Sequence, residues 1–265
     1  MDYSAFAKEH ELDITIKDRV ALVKFNRPHV RNQMTYAMHR GIERLLPDLG
    51  VDPDVGAIVL TGAGTDFSIG GSEKQQEMAR DRGVKTILRE AKYVVQSLAN
   101  CEAPIIAAIN GTAAQVAATI ALMCDVIYMA DNAIITDDHV RTGLTAGDGG
   151  AVIWPLLIGP HRAKEFMMTG RHIDAKLAEK MGMVNHVVPA DKLLDEAMAF
   201  ADELAHGPGL AIRWTKMCVN RIIWQNLNLC LEMGLATEAM SVWTKDHWEA
   251  LDAIREGRKP NFKTE

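Results

Sequence analysis

An α/β core followed by a helical C-terminal region is the architecture that this sequence of 265 residues predicts. Two observations carry it. Short β-branched runs alternate with segments of helical apolar spacing up to about residue 190, and from 191 onward the pattern is helical almost throughout. Gly207-Pro208 interrupts the second stretch and sets the expected boundary between a core, 1–206, and a helical region, 207–265.

In order, 12–17 and 19–25 alternate in the β manner across Asp18 and predict an opening hairpin. Residues 35–49 place Met38, Ile42, Leu45, Leu46 and Leu49 on one helical face. The run 57–61 (AIVLT), closed by Gly62, reads as a buried strand. Residues 64–81 read as a loop running into a helix, and 83–100 as a helix. A second buried strand, 104–109, is broken by Asn110-Gly111, and the small apolar run 112–123 predicts an enclosed helix. A strand at 125–129, a glycine-rich loop at 143–150 and a helix at 151–158 follow. Helices at 161–169 and 175–182, a strand at 184–188, then helices at 191–206, 209–225, 228–241 and 243–257 complete the chain.

With 48% hydrophobic and 24% charged residues the composition is that of a globular protein. A net charge of -6 argues against a nucleic-acid or acidic-membrane binder, which needs a positive field. The basic residues Arg255, Arg258, Lys259 and Lys263 read either as a solvated tail or as partners for ligand phosphates. Cys101, Cys124, Cys218 and Cys230 are scattered and predict reduced thiols. The N-terminus lacks the pattern of a signal peptide, and the most apolar region, 104–130, is interrupted by Asn110, Gln115 and Asp125. A soluble, cytoplasmic protein is therefore expected, with no membrane partner.

Several motifs fail. Gly62-Ala63-Gly64 follows a strand, but Phe67 replaces the third glycine of a dinucleotide turn. Gly70-Gly71-Ser72-Glu73 begins like a nucleophile elbow, and Lys74 ends the match. Asp137-Asp138-His139 has no fourth partner at metal-ligand spacing, so no metal is expected. Two corners remain: 66–71 after the strand at 57–61, and Asn110-Gly111 after the strand at 104–109. Each runs into a helix whose first N–H groups are free to bind developing negative charge; the alternative is that the glycines serve tight turns only.

Five segments occur in register: NRPHVRN (26–32), DFSIGG (66–71), NG with MCDVIYMA and GLTAGDGG (110–150), TGRHIDAKLAEKMGMVNHVVP (169–189) and REGRKPNF (255–262). Together they resemble the crotonase (enoyl-CoA hydratase/isomerase) superfamily over almost the whole chain. The resemblance implies a spiral of ββα units with a C-terminal helical oligomerisation region, a homotrimer or dimer of trimers, and an acyl-CoA substrate. It implies no further cofactor. By position it assigns the oxyanion-hole N–H groups to Gly71 and Val116, and contact with the CoA nucleotide to Arg27 and Arg31.

The chain departs from that pattern where hydratases of the family carry two glutamates: Thr119 and His139 stand there. His139, Asp148 and Glu238 instead resemble, in part, the β-diketone carbon–carbon hydrolases of the superfamily, which have a second histidine where Val116 stands. Histidine exchanges protons near neutral pH, and an acidic neighbour fixes its tautomer. Asp137 is a rival orienter, since an extended 135–139 would project it to the same face as His139. The alternatives are a satisfied polar residue for His139, a turn residue for Asp148 and a surface or interface carboxylate for Glu238. Hydratase/isomerase-like chemistry on an acyl-CoA comes first at this stage, and C–C hydrolysis of a 1,3-dicarbonyl second. A catalytically silent acyl-CoA binding protein is third and a purely structural oligomer fourth.

Overall fold

A computed structural model describes residues 3–71 and 84–264. Its spine is a six-stranded sheet, whose strands follow in their order across it. β1 (Leu12–Lys17) and β2 (Val20–Phe25) form the expected antiparallel hairpin. β3 (Ala57–Gly62), β4 (Ile105–Ile109), β6 (Val126–Ala130) and β9 (His186–Val188) continue it in parallel. Every residue of β3 and β4 is buried, which is why both read as unbroken apolar runs. A second sheet of β5 (Thr112–Ala114), β7 (Ile134–Thr136) and β8 (Ile173–Asp174) lies in the order β5-β7-β8.

The chain visits the two sheets in turn. From β4 it passes to β5 and then α4 (Val116–Leu122), and from β6 to β7 and then α5 (Gly150–Ile158) and α6 (Pro160–Thr169). That winding is the spiral of ββα units expected. α1 (Tyr3–Glu9) precedes the hairpin, and α2 (Tyr36–Val51) and α3 (Val84–Asn100) pack on one another. Thr35 caps α2 by accepting from the Met38 N–H at 3.2 Å, and Met38, Ile42, Leu45, Leu46 and Leu49 are its buried stripe. α7 (Ala175–Met181) leads to β9, and α8 (Leu193–His206) lays Ala197, Ala201 and Ala205 against the sheet.

α9 (Gly209–Ser241) then runs 33 residues back across α3 and α5, and α10 (Lys245–Glu256) closes the chain. Polar contacts fasten α9: Lys216 pairs with Asp125 at 2.7 Å, Asn220 donates to the Ala99 carbonyl at 3.0 Å, and Arg213 donates to the carbonyls of Gly50 and Val55. Near the other end of α9, Gly234 and Glu238 pack against Gly147 of the 143–150 loop.

Four expectations need correction. The run 112–123 is not all helix, because Thr112–Ala114 pairs in parallel with β7 and the helix starts only at Val116. The helices expected at 209–225 and 228–241 are one, since no glycine or proline interrupts the chain between them. Residues 135–139 are not extended throughout: β7 ends at Thr136 and His139 opens a 3₁₀ turn, His139–Thr142. β9 begins at His186, two residues later than expected. The loop expected over 64–81 lies from residue 72 on outside the described residues.

Candidate active site

The first corner is built by neighbouring backbone. Asp66 is almost fully buried and accepts from Arg31 through Nε at 2.9 Å and Nη2 at 2.8 Å, and from the Thr112 N–H at 3.1 Å. Ser68 bridges to Ala113, with its N–H on the Thr112 carbonyl at 2.9 Å and its carbonyl taking the Ala114 N–H at 3.0 Å. The segment is therefore stitched to β5 before it reaches Gly70, whose φ of +80° only glycine adopts readily. Gly71 follows, and its N–H is held by the side-chain oxygen of Gln115 at 3.1 Å.

The second corner differs from expectation. Gly111 is a close approach, since a Cβ there would fall 2.0 Å from the Thr65 carbonyl oxygen. The free helix N–H groups come only after β5, where Gln115 is the N-cap of α4 and Val116 its first residue. Gln115 also accepts the Gly71 N–H, so the two positions singled out as oxyanion donors, Gly71 and Val116, flank one side chain.

Beside them four ionisable groups meet. His139 Nδ1 hydrogen-bonds to Asp137 Oδ1 at 2.7 Å, and His139 Nε2 faces Asp148 Oδ2 at 3.6 Å. Thr119 donates its hydroxyl to Asp148 Oδ1 at 3.2 Å. Glu238 is within electrostatic reach of Asp148, His139 and Asp137. The elements that converge are α4, the 3₁₀ turn after β7, the 143–150 loop and α9. Glycines let them approach: a Cβ on Gly147 would lie 2.1 Å from the Gly234 carbonyl oxygen, and one on Gly150 would lie 2.3 Å from Asp137 Oδ2.

Burial and charge act in opposite directions here. Burial alone lowers the His139 pKa, but Asp137 and Asp148 outweigh it and lift it well above the usual range, which strengthens the ring as a proton acceptor. Burial raises Asp148, opposed by the cation of His139. Burial, reinforced by Asp148, pushes Glu238 up to about 8, so this carboxyl is largely neutral at pH 7. Asp137 Oδ2 and Glu238 Oε2 are buried without a hydrogen-bond partner. The cluster therefore holds a protonated carboxyl, Glu238, beside the imidazole of His139 and the raised carboxyl of Asp148, the combination that moves protons between a substrate and water.

Asp137, His139 and Asp148 also present ligand atoms within 4.8 Å of one another. The two carboxylates lie on opposite ring nitrogens, however, and an ion bound to one nitrogen turns its back on the other. The set fits a carboxylate–imidazole–carboxylate relay better than a metal cage.

The structure thus brings His139, Asp148 and Glu238 together, and makes Asp137 the hydrogen-bonded partner of the ring. Asp137 was legible as a rival; Gln115 was not, because nothing in its neighbours announces a side chain that folds back onto Gly71. Thr119 stood out only as a replaced glutamate, not as a donor to Asp148. Arg27 donates to the Gln33 carbonyl at 2.8 Å and pairs with Glu11 at 3.0 Å, and Arg31 forks onto Asp66 and reaches Thr112 Oγ1 at 3.0 Å. Both guanidinium groups therefore serve internal partners on the first corner and its flank. No helix among the described residues is long and apolar enough to cross a membrane.

Residues 15–265 match the family model for enoyl-CoA hydratase/isomerase. A probable enoyl-CoA hydratase of Mycobacterium bovis is 34% identical over 246 residues, covering 92% of this chain and 94% of that one. Among solved structures, an enoyl-CoA hydratase/isomerase from Mycobacterium paratuberculosis superposes with a TM-score of 0.87 at 34% identity, covering 92% and 98% of the two chains. A β-diketone hydrolase from the cyanobacterium Anabaena superposes with a TM-score of 0.84 at 26% identity, covering 91% and 97%.

Proposed function

The chain belongs to the enoyl-CoA hydratase/isomerase family, within the crotonase superfamily, and from that premise we propose that it hydrolyses a carbon–carbon bond of a 1,3-dicarbonyl compound. One observation carries the reading. Positions 119 and 139, where two glutamates would handle water, hold a threonine and a histidine, and the histidine is built into a buried cluster with Asp137, Asp148 and Glu238. The likeness to the Anabaena hydrolase supports it.

In this reading one substrate carbonyl oxygen lies on the N–H groups of Gly71 and Val116. The pair formed by His139 Nε2 and Asp148 takes a proton from water as its oxygen bonds to the other carbonyl carbon. The C–C bond between that carbon and the α-carbon then breaks, and its electron pair becomes an enolate whose oxygen is stabilised by the backbone donors. Glu238, neutral at pH 7, or the imidazolium of His139 returns a proton to the α-carbon. The products are a carboxylic acid and a ketone, and the water is consumed. Asp137 touches no reacting atom; it fixes the ring by holding Nδ1, which leaves Nε2 as the working nitrogen.

The test is turnover of a cyclic 1,3-diketone beside crotonyl-CoA, with the His139→Ala variant. Ring opening that falls by two to four orders of magnitude, or about 10²–10⁴-fold, in the variant supports the proposal. Loss of enoyl absorbance with no ring opening overturns it. That second outcome is the rival reading, hydration or isomerisation of an enoyl-CoA, which the hydratase relatives favour and in which Arg27 and Arg31 would meet the CoA nucleotide.

We also infer that the working unit is a homotrimer or a dimer of trimers. Leu210, Trp214, Ile222, Leu229, Met233 and Met240 are exposed along α9, more apolar surface than one helix of a monomer leaves in water. Sedimentation at the mass of one chain, 29.2 kDa, would contradict this.

A further inference from the structure

Gln115 holds a backbone conformation that its neighbours do not explain. Its φ of 55° and ψ of −130° belong to a region that side-chain-bearing residues rarely occupy. Such strain persists only where the surroundings impose it. The residue is buried, its N–H is tied to the Thr136 carbonyl at 3.0 Å, and its carbonyl accepts the Thr119 N–H at 3.0 Å. These bonds fix the backbone on both sides and aim the side chain at the first corner.

There its carboxamide oxygen accepts the Gly71 N–H at 3.1 Å. Gly70 is shaped around it: a Cβ on Gly70 would fall 2.6 Å from that oxygen and 2.9 Å from the Gln115 Cβ. An acceptor oxygen on an N–H that the proposed chemistry assigns to a substrate oxygen occupies the substrate's place.

We propose that Gln115 gates the oxyanion hole: its carboxamide oxygen holds the Gly71 N–H in the free enzyme and is expelled by the oxygen of the incoming substrate. The inference rests on Gly71 as an oxyanion donor, as in the reading above, but not on which reaction follows. It makes Gln115 a specificity-determining residue. A neutral carbonyl merely exchanges one amide-type hydrogen bond for another, whereas an enolate oxygen makes a charge-assisted bond roughly twice as strong. The gate thus favours substrates that present, or readily develop, negative charge on that oxygen.

Gln115→Gly tests it, because glycine adopts the observed backbone without strain and the variant is expected to fold. Two probes are titrated by calorimetry: cyclohexane-1,3-dione, an enolate near neutral pH and in that form slow to be attacked by water, and butyryl-CoA, an inert thioester. Removing one competing hydrogen bond is expected to tighten whichever probe binds about fivefold. In protein labelled with ¹⁵N-glycine, the Gly71 amide is expected to exchange with solvent faster in the variant than in the free wild type. Weaker binding would overturn the gate and make the carboxamide a substrate contact. Unchanged binding, or no binding to either protein, would overturn it equally. If only butyryl-CoA binds, and more tightly to the variant, the gate stands and the 1,3-dicarbonyl reading falls.

Discussion

Glu238→Gln separates the cost of the site from its use. Burial and the neighbouring Asp148 raise this carboxyl from 4.5 to about 8, so the folded state keeps a proton that the unfolded chain has released by pH 7. A group raised on folding contributes stability that is full below its unfolded value and is lost as pH climbs toward its folded value. The window is therefore pH 4.5 to about 8. At pH 7 the difference is 7 − 4.5 = 2.5 units, which at about 1.4 kcal/mol per unit makes about 3 kcal/mol. Glutamine copies the neutral acid in shape and does not titrate. Relative to wild type, the variant should gain about 3 kcal/mol between pH 4 and pH 7 and nothing more above pH 8. Urea unfolding of both proteins across pH 4–9 measures it. A difference curve flat through that window would show that Glu238 is not held neutral, and the acid role given to it would go. The same variant should lose turnover, the usual exchange of activity for stability at a strained site.

Asp137→Asn is expected to leave the fold intact and cost two to three orders of magnitude in kcat, roughly 10²–10³-fold, because the amide no longer holds Nδ1 as a charged acceptor. Losing that carboxylate should also bring the His139 pKa down, so the pH–rate profile should shift to lower pH; an unshifted profile would refute the orienting role. Gly147→Ala places a methyl 2.1 Å from the Gly234 carbonyl oxygen and must push the loop carrying Asp148 off α9. A loss of about 1–3 kcal/mol in stability with a larger loss of activity is expected, and unaltered kinetics would contradict the packing described.

What could be read in advance follows from how local each feature is. β3 and β4 announce themselves because burial on both faces leaves nothing but apolar residues. The long α9 was harder. Its buried residues, from Asn220 through Leu227, Leu231, Leu235 and Ala239, are widely spaced, and exposed apolar side chains blur the stripe. Thr112–Ala114 looked helical because alanine-rich sequence favours a helix, and only pairing with β7, a tertiary event, makes it a strand.

The site shows the same division. His139, Asp148 and Glu238 stood out by residue type and position, and the fold assembles them. The Asp137–His139 bond was anticipated for the wrong local reason, since a 3₁₀ turn and not strand alternation brings the two together. Gln115 was invisible because its importance depends on a positive φ and on one contact 44 positions away.

The most direct test of the central claim is to incubate the protein with a cyclic 1,3-diketone in ¹⁸O-labelled water and weigh the product. Hydrolysis of the C–C bond predicts an open-chain keto acid carrying one labelled oxygen in its carboxylate, formed by wild type and not by His139→Ala. Recovery of unopened diketone from wild type, with label entering only a hydrated acyl-CoA in the parallel reaction, would contradict it.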